Sequence, residues 1–258
     1  MANNDTIKKT VTVTLLLCVV CSVIVSTAAV MLKPAQIANK SLDFKRNILA
    51  AAGLLEEGVA VEEQFQAITT KLVDLDSGKY TDASAIGGDL ERYDQNKAAK
   101  DPKLSTSLTG EQDIAKISNR ENFSKVYLVE ENGELKKVIL PIKGYGLWST
   151  LYGFLALDAD TNTVVGMGFY QHAETPGLGG EVDNPAWKAL WPGKQIFAAD
   201  GSVAIEVTKG PAPVGDIHKV DGLSGATLTG KGVDNLVKFW VGKDGFGPYL
   251  ENLKKGEA

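Results

Sequence analysis

"KVYLVEENGELKKVILPI" at residues 125–142 decides the fold class of this chain, because two apolar runs flank the pair Asn132-Gly133. An Asn-Gly pair between such runs is typical of a two-residue hairpin turn, in which both central residues need positive φ. The segment therefore predicts two antiparallel strands joined by a tight turn.

The chain on the C-terminal side of this hairpin continues the same pattern. "STLYGFLALDADTNTVVGMGFYQH" at 149–172 has two further apolar runs around an Asp/Thr/Asn turn, and "SVAIEVTKG" at 202–210 predicts one more strand. "NPAWKALW" predicts a short helix with Asn184 as its cap, and apolar residues between 233 and 241 recur at helical spacing. Strand hairpins with helices beside them predict an α+β domain built on an antiparallel sheet.

The chain between residues 33 and 124 is predicted to be helical or irregular. It would be the part of the soluble region closest to a membrane segment that residues 11–32 predict. Residues 33–58 carry apolar positions among charges and predict a helix that ends at Gly58. A second short helix is expected at 61–70 and another at 111–122. Residues 77–110 are polar, show no clear period and predict an extended surface loop.

Residues 11–32 form an uncharged run of 22 residues, which is long enough to cross a hydrocarbon core of about 30 Å as a helix. Lys8 and Lys9 lie in the short leader at 1–10, and positive charge stays on the cytoplasmic side. The sequence thus predicts a single N-terminal transmembrane helix with a cytoplasmic N-terminus and a soluble domain outside. The alternative is a signal peptide, since Ser26-Thr27-Ala28 is an acceptable cleavage pattern.

Composition excludes several kinds of protein and site. A net charge of -5 without a basic cluster argues against a nucleic-acid binder. Both cysteines, Cys18 and Cys21, lie in the apolar run, so the soluble part has no disulfide, thiolate zinc site or cysteine-ligated iron–sulfur cluster. The histidines His172 and His218 lack the spacing of a metal-binding pair, and no metal is expected. A role for the two cysteines with another membrane subunit stays open.

"DGLSGATLTG" at 221–230 is the first segment that suggests chemistry, because it places hydroxyls on very little side-chain bulk. The following helix is expected to begin between 227 and 231, so the segment lies at a helix N-terminus, which favours a phosphate. The alternative is that Thr227 only caps the helix. Ser224 does not fit a hydrolase nucleophile, because Ala226 replaces the last glycine of that motif and no histidine follows residue 218.

Two further loops fit a flat ligand. "QHAETPGLGGE" at 171–181 combines proline with several glycines, which permits either a tight turn or close approach of backbone to a ligand. "GYGLWST" at 144–150 places Trp148 between two strands, where it belongs to the core or forms a wall for a planar cofactor.

These motifs together resemble a known family. "DGLSGAT" at 221–227 is similar to the flavinylation motif of FMN-binding domains, and the resemblance implies that a flavin transferase attaches FMN through its phosphate to the last threonine, Thr227. "ETPGLGGE", "GLWS" and the N-terminal anchor are similar to the C subunits of sodium-translocating NADH:quinone reductases. The FMN-binding domain would then occupy residues 125–258.

The resemblance also implies which residues surround the flavin. The ring would lie against the segment 174–179, with Trp148 and Lys209 nearby, and the small residues before Thr227 would leave its hydroxyl accessible. The implied cofactor-binding residues are Thr227, Ser224, Gly225, Ala226, Glu174, Thr175, Pro176, Gly177, Leu178, Gly179, Trp148 and Lys209. Lys209 has the alternative of a solvated strand end.

The family resemblance further implies a place in the cell and partners. The chain would be a covalently flavinylated electron carrier in a bacterial inner membrane, with its domain in the periplasm and with subunits of the A, B, D, E and F types as partners. It would carry electrons on the path from NADH to ubiquinone without a catalytic residue of its own. Two alternatives are a G-type subunit of the Rnf complex and an anchored binding domain without a redox cofactor.

Overall fold

The computed structural model describes residues 6–258, so that residues 1–5 of the predicted leader lie outside the described residues. The described residues divide into two units, one that ends at Phe44 and one that comprises Lys45–Ala258. The helices are α1 (Ile7–Ala51), α2 (Val61–Phe65), α3 (Gln95–Ala98), α4 (Pro185–Lys188), α5 (Thr227–Val241) and α6 (Gly247–Lys255). The strands are β1 (Ile68–Asp74), β2 (Lys79–Thr81), β3 (Ser105–Ser107), β4 (Asn119–Glu121), β5 (Phe123–Glu131), β6 (Glu134–Tyr145), β7 (Thr150–Asp158), β8 (Val164–Gln171), β9 (Glu206–Val207) and β10 (Lys219–Val220).

Helix α1 contains the predicted membrane segment, and within residues 6–258 it alone is long and apolar enough to cross a membrane. The two helices predicted at 11–32 and 33–58 are one helix of 45 residues with Pro34 inside it. The predicted end at Gly58 is wrong, because the helix ends at Ala51 and Gly53 follows with a left-handed φ of 64°. A glycine just beyond the last turn terminates a helix at little steric cost.

The central sheet has six antiparallel strands in the order β2-β1-β5-β6-β7-β8. The decisive hairpin is formed by β5 and β6, and its turn residues Asn132 and Gly133 have φ of 55° and 81°, as a two-residue turn requires. Strands β7 and β8 form the second predicted hairpin. The predicted α+β class, with an antiparallel sheet and flanking helices, is confirmed.

The chain before residue 125 contributes to this sheet as well. Strand β1 pairs along its whole length with β5, and β2 pairs with β1. The helix predicted at 111–122 is wrong: this stretch forms turns and ends in β4. The carboxylate of Asp113 accepts hydrogen bonds from the amides of Ile117 and Ser118 at 2.7 and 2.8 Å, which satisfies the backbone without a helix.

Helix α5 packs against β6 and carries the side chains that close the core. Val233, Leu236 and Trp240 are fully buried, at the spacing predicted from the sequence. The Trp240 indole N–H donates to the Lys143 carbonyl at 2.6 Å. A Cβ atom at Gly232 would lie 2.5 Å from the Tyr145 carbonyl oxygen, so glycine lets the helix approach the end of β6. This contact fixes the N-terminal part of α5 beside the loop that follows β6.

Candidate functional site

The N-terminus of α5 lies at the predicted start, with Thr227 as the first helical residue and Ala226 as the cap. Alanine has no side-chain acceptor, and within residues 6–258 no hydrogen bond from the first-turn amides of 227–229 is formed to a protein acceptor. The hydroxyl of Thr227 is therefore not the cap of this helix. It stands on an exposed residue beside free N–H groups at the positive end of the helix dipole.

The first two residues of the motif, Asp221 and Gly222, form hydrogen bonds with the neighbouring loop at 209–212. The Asp221 carboxylate accepts the Ala212 amide at 2.8 Å, and the Asp221 carbonyl accepts the Trp187 indole N–H at 2.9 Å. The Gly222 amide donates to the Gly210 carbonyl at 2.9 Å. A Cβ atom at Gly222 would be 2.8 Å from the Lys209 carbonyl carbon. The backbone of Lys209 is thus beside the motif, and the residue is exposed.

The three residues before Thr227 differ in their surroundings. Ser224 and Gly225 are exposed, whereas Ala226 is buried. Gly225 has a φ of 71°, in the left-handed region, and a Cβ atom there would lie 3.2 Å from a terminal carbon of Leu178. The structure therefore brings the 221–227 motif into contact with the loop at 172–180.

The loop at 172–180 exposes four of the six residues predicted to meet a ligand, whereas Glu174 and Gly179 are buried. Thr175, Pro176, Gly177 and Leu178 are exposed, and Leu178 keeps 46% of its surface accessible. The loop is closed by the Thr175 carbonyl, which accepts the amides of Leu178 at 3.1 Å and Gly180 at 2.9 Å. An ordered loop with an exposed leucine is suited to contact a flat apolar group.

His172 supports this loop and is not placed as a ligand. Its Nδ1 accepts the Glu174 amide at 3.2 Å, which leaves the Nε2–H to donate to the Asp183 carboxylate at 2.7 Å. Both ring nitrogens are thereby engaged with the protein.

Trp148 is 67% exposed, which excludes the alternative that it belongs to the core. Its loop is tied to the loop at 172–180 because Ser149 Oγ accepts the Ala173 amide at 2.7 Å. An exposed tryptophan on a fixed backbone presents a large aromatic face to solvent or to a ligand.

Glu174 differs from its neighbours because its side chain is buried and 5% of its surface is exposed. Its carboxylate accepts the Trp148 amide at 2.9 Å, the Leu147 and Ser149 amides at 3.1 Å and the Thr229 hydroxyl at 2.7 Å. Burial raises the pKa of Glu174, but the hydrogen bonds from Thr229 and the three amides offset this and hold the pKa below its ordinary value. The carboxylate is therefore ionised at neutral pH.

Thr229 also belongs to this site, but its hydroxyl was not distinguished from those of Ser224 and Thr227 in the sequence analysis. It is fully buried, whereas Ser224 and Thr227 are exposed. The sequence does contain a pattern that predicts the burial of Thr229. Thr229 precedes Val233 by four and Leu236 by seven residues, so it lies on the apolar face of α5.

A cleft of about 460 Å³ opens at the other end of α5, where it is lined by residues that include Val241, Gly242 and Lys243. None of the predicted site residues lines it. The predicted residues are instead gathered around the N-terminus of α5, about 20 Å away by the rise of the helix.

Known proteins resemble this chain over its whole length. Residues 146–242 match the family model described as FMN-binding domain. The C subunit of the Na(+)-translocating NADH-quinone reductase of Pseudomonas aeruginosa is 56% identical over 265 aligned positions that cover 100% of both chains. The corresponding protein of Vibrio parahaemolyticus is 50% identical over 99% of this chain and 98% of its own.

Two solved structures agree with these matches. The crystal structure of NqrC from Shewanella oneidensis has a TM-score of 0.77 and 38% identity, and the match covers 84% of this chain and 99% of that one. The C subunit of the Na(+)-translocating NADH-quinone reductase of Parabacteroides distasonis has a TM-score of 0.62 and 28% identity, with 86% of this chain and 96% of that one covered.

Proposed function

Because the chain belongs to the family of C subunits of Na(+)-translocating NADH-quinone reductases, we propose that it is the covalently flavinylated electron carrier of such a complex. FMN would be held as a phosphodiester on Thr227 and would supply the redox chemistry, since no side chain of the soluble part exchanges electrons as a flavin does. The protein contributes position and electrostatics.

The observation that carries this proposal is that the exposed residue Thr227 begins a helix whose N-terminus no side chain caps. A phosphodiester keeps one negative charge, which the free first-turn amides and the helix dipole stabilise. If the transferase uses FAD as the donor, as the family resemblance implies, the Thr227 Oγ–P bond would form, the hydroxyl proton would be lost, and the phosphoanhydride bond of FAD would break to release AMP. The small exposed residues Ser224 and Gly225 leave room for the transferase to reach this hydroxyl.

The flavin ring would be bound by the exposed residues that the fold gathers here. Leu178 and Thr175 from one loop and Trp148 from the other offer apolar and aromatic surface. Pro176, Gly177 and Gly179 shape the loop that carries Leu178. Lys209 would place a positive charge near the motif, where it would stabilise negative charge on a reduced flavin.

The anchor gives the proposal its location. Helix α1 would cross the inner membrane once, with Lys8 and Lys9 on the cytoplasmic side and the domain in the periplasm. A covalent tether would keep FMN on the protein where free FMN is lost by dilution.

The carrier would pass electrons between other subunits on the path from NADH to ubiquinone. No acidic residue occurs at 11–32, so the sodium path would run through those subunits.

Flavin fluorescence in a denaturing gel tests the proposal. We expect the full chain, made together with the flavin transferase, to give a fluorescent band that survives denaturation. The Thr227→Val variant should lose the band, while Ser224→Ala, which removes the neighbouring exposed hydroxyl, should keep it. A fluorescent Thr227→Val band would show that the flavin is attached elsewhere.

A further inference from the structure

Glu174 occupies the centre of the site but faces the protein. Its Oε1 accepts the amides of residues 147–149, and its Oε2 accepts the Thr229 hydroxyl. We infer that Glu174 is a positioning residue that assembles the flavin site before the flavin is attached, and that its carboxylate is not a flavin ligand. The positioning of the three segments by Glu174 rests on the geometry alone. Its effect on flavin attachment rests on the proposed function.

The carboxylate joins the three segments that carry the predicted flavin contacts. Glu174 itself belongs to the loop of Leu178, its amide donors belong to the loop of Trp148, and Thr229 follows Thr227 by two residues in α5. Because one side chain bonds to all three, it helps to position the attachment hydroxyl relative to both ring-binding loops, together with the close approach at Gly232 and the hydrogen bond from the Ala173 amide to Ser149. Preorganisation of this kind requires that supporting contacts lock the site.

No cation neutralises Glu174, since none of the ion pairs found within residues 6–258 includes it. A buried carboxylate without a paired cation depends wholly on its hydrogen-bond donors. Three consecutive backbone amides and one hydroxyl form a concave set of donors that suits an anion. The removal of one donor, or of the charge, therefore loosens the whole arrangement.

Two glycines mark how closely the segments approach this carboxylate. A Cβ atom at Gly146 would lie 2.6 Å from Glu174 Oε1, and one at Gly179 would lie 2.5 Å from Thr229 Oγ1 and 2.7 Å from Glu174 Oε2. Any side chain at either position would push the donors away from the carboxylate. The glycine at 179 is thus explained by the protein's own contact and needs no appeal to a ligand.

Amide hydrogen exchange of the flavin-free full chain in detergent tests the positioning role. We expect the amides of 147–149 to exchange at least tenfold faster in Glu174→Gln than in the wild-type chain. Thr229→Val should accelerate the same amides and Thr229→Ser, which restores a hydroxyl, should protect them again. Glu181→Gln is the matched control, because that carboxylate accepts from Asn184 and is not bonded to either loop. Unchanged exchange at 147–149 in Glu174→Gln and Thr229→Val would overturn the inference.

The rate of flavin attachment with limiting transferase and FAD then tests the consequence. Glu174→Gln and Thr229→Val, measured where their far-UV circular dichroism matches the wild type, should each slow attachment at least tenfold. The double variant should be no slower than Glu174→Gln alone, because both changes break one arrangement. Wild-type attachment rates in both folded single variants would contradict the inference. A wild-type chain that gains no flavin would instead contradict the proposed function, and the exchange result would still decide the positioning role.

Discussion

Three hydroxyls that are close in sequence have different surroundings. Thr227 and Ser224 are exposed, while Thr229 is buried and bonded to Glu174. The sequence predicted a phosphate-binding helix start, and the structure shows that start at Thr227 without a side-chain cap. The separation of Thr229 from Thr227 follows from helical phase, since a shift of two residues turns a side chain by about 200° around the helix.

Because of the Glu174 carboxyl, we expect the free energy of unfolding to fall when the solution is acidified. The pKa of this carboxyl is held lower in the folded chain than in the unfolded chain, where a glutamate titrates at about 4.3. Its contribution is therefore complete above that unfolded value and is lost as the pH falls through the folded pKa. Urea unfolding at a series of pH values between 7 and 3 should show a smaller loss of stability on acidification in Glu174→Gln than in the wild type. At neutral pH the variant should be less stable by about 2 kcal/mol, the cost of poorly satisfied buried donors. If the wild type and Glu174→Gln lost the same stability as the pH falls, Glu174 would not be the group responsible for this pH dependence.

At the scale of elements, the strand β4 is joined to β6 by a buried ion pair. Lys143 Nζ lies 2.6 Å from Glu121 Oε2, and the two side chains are 8% and 1% exposed. Glu121 Oε1 has no hydrogen-bond partner among residues 6–258. A buried pair contributes little over an apolar pair, but the loss of one partner leaves an unpaired buried charge.

We therefore expect Lys143→Met to lower the free energy of unfolding by about 3–5 kcal/mol. Adding Glu121→Leu should recover most of this loss, because the double variant no longer buries the unpaired carboxylate of Glu121. Urea unfolding followed by tryptophan fluorescence gives both values. A double variant as unstable as Lys143→Met would mean that packing around Lys143, rather than charge, sets the cost.

Elements with a strong local signal could be predicted from the sequence, and elements set by tertiary contacts could not. The hairpin around Asn132-Gly133, the cap at Asn184 and the start of α5 each depend on neighbouring residues and were found where expected. The helix expected at 111–122 failed because Asp113 bonds the backbone amides locally. Helix α6 was not predicted, and its Tyr249 is held by a contact with Tyr80 from β2, far away in sequence.

At the scale of the whole molecule, the sequence predicts the orientation of the chain in the membrane from Lys8 and Lys9. In a background in which Cys18 and Cys21 are replaced by alanine, an Asp200→Cys variant should react with a membrane-impermeant maleimide in intact cells whose outer membrane has been made permeable. Thr6→Cys should react only after the inner membrane is lysed. The reverse pattern would place the domain in the cytoplasm and would remove the reason for a covalent tether.

The most direct test of the central claim is the intact mass of the full chain, made with and without the flavin transferase and compared with Thr227→Val. The account predicts that the wild-type chain gains the mass of one FMN less one water only when the transferase is present, and that Thr227→Val gains nothing. A wild-type mass that stays unchanged with an active transferase, or an equal gain in the variant, would contradict a covalent flavin carried on Thr227.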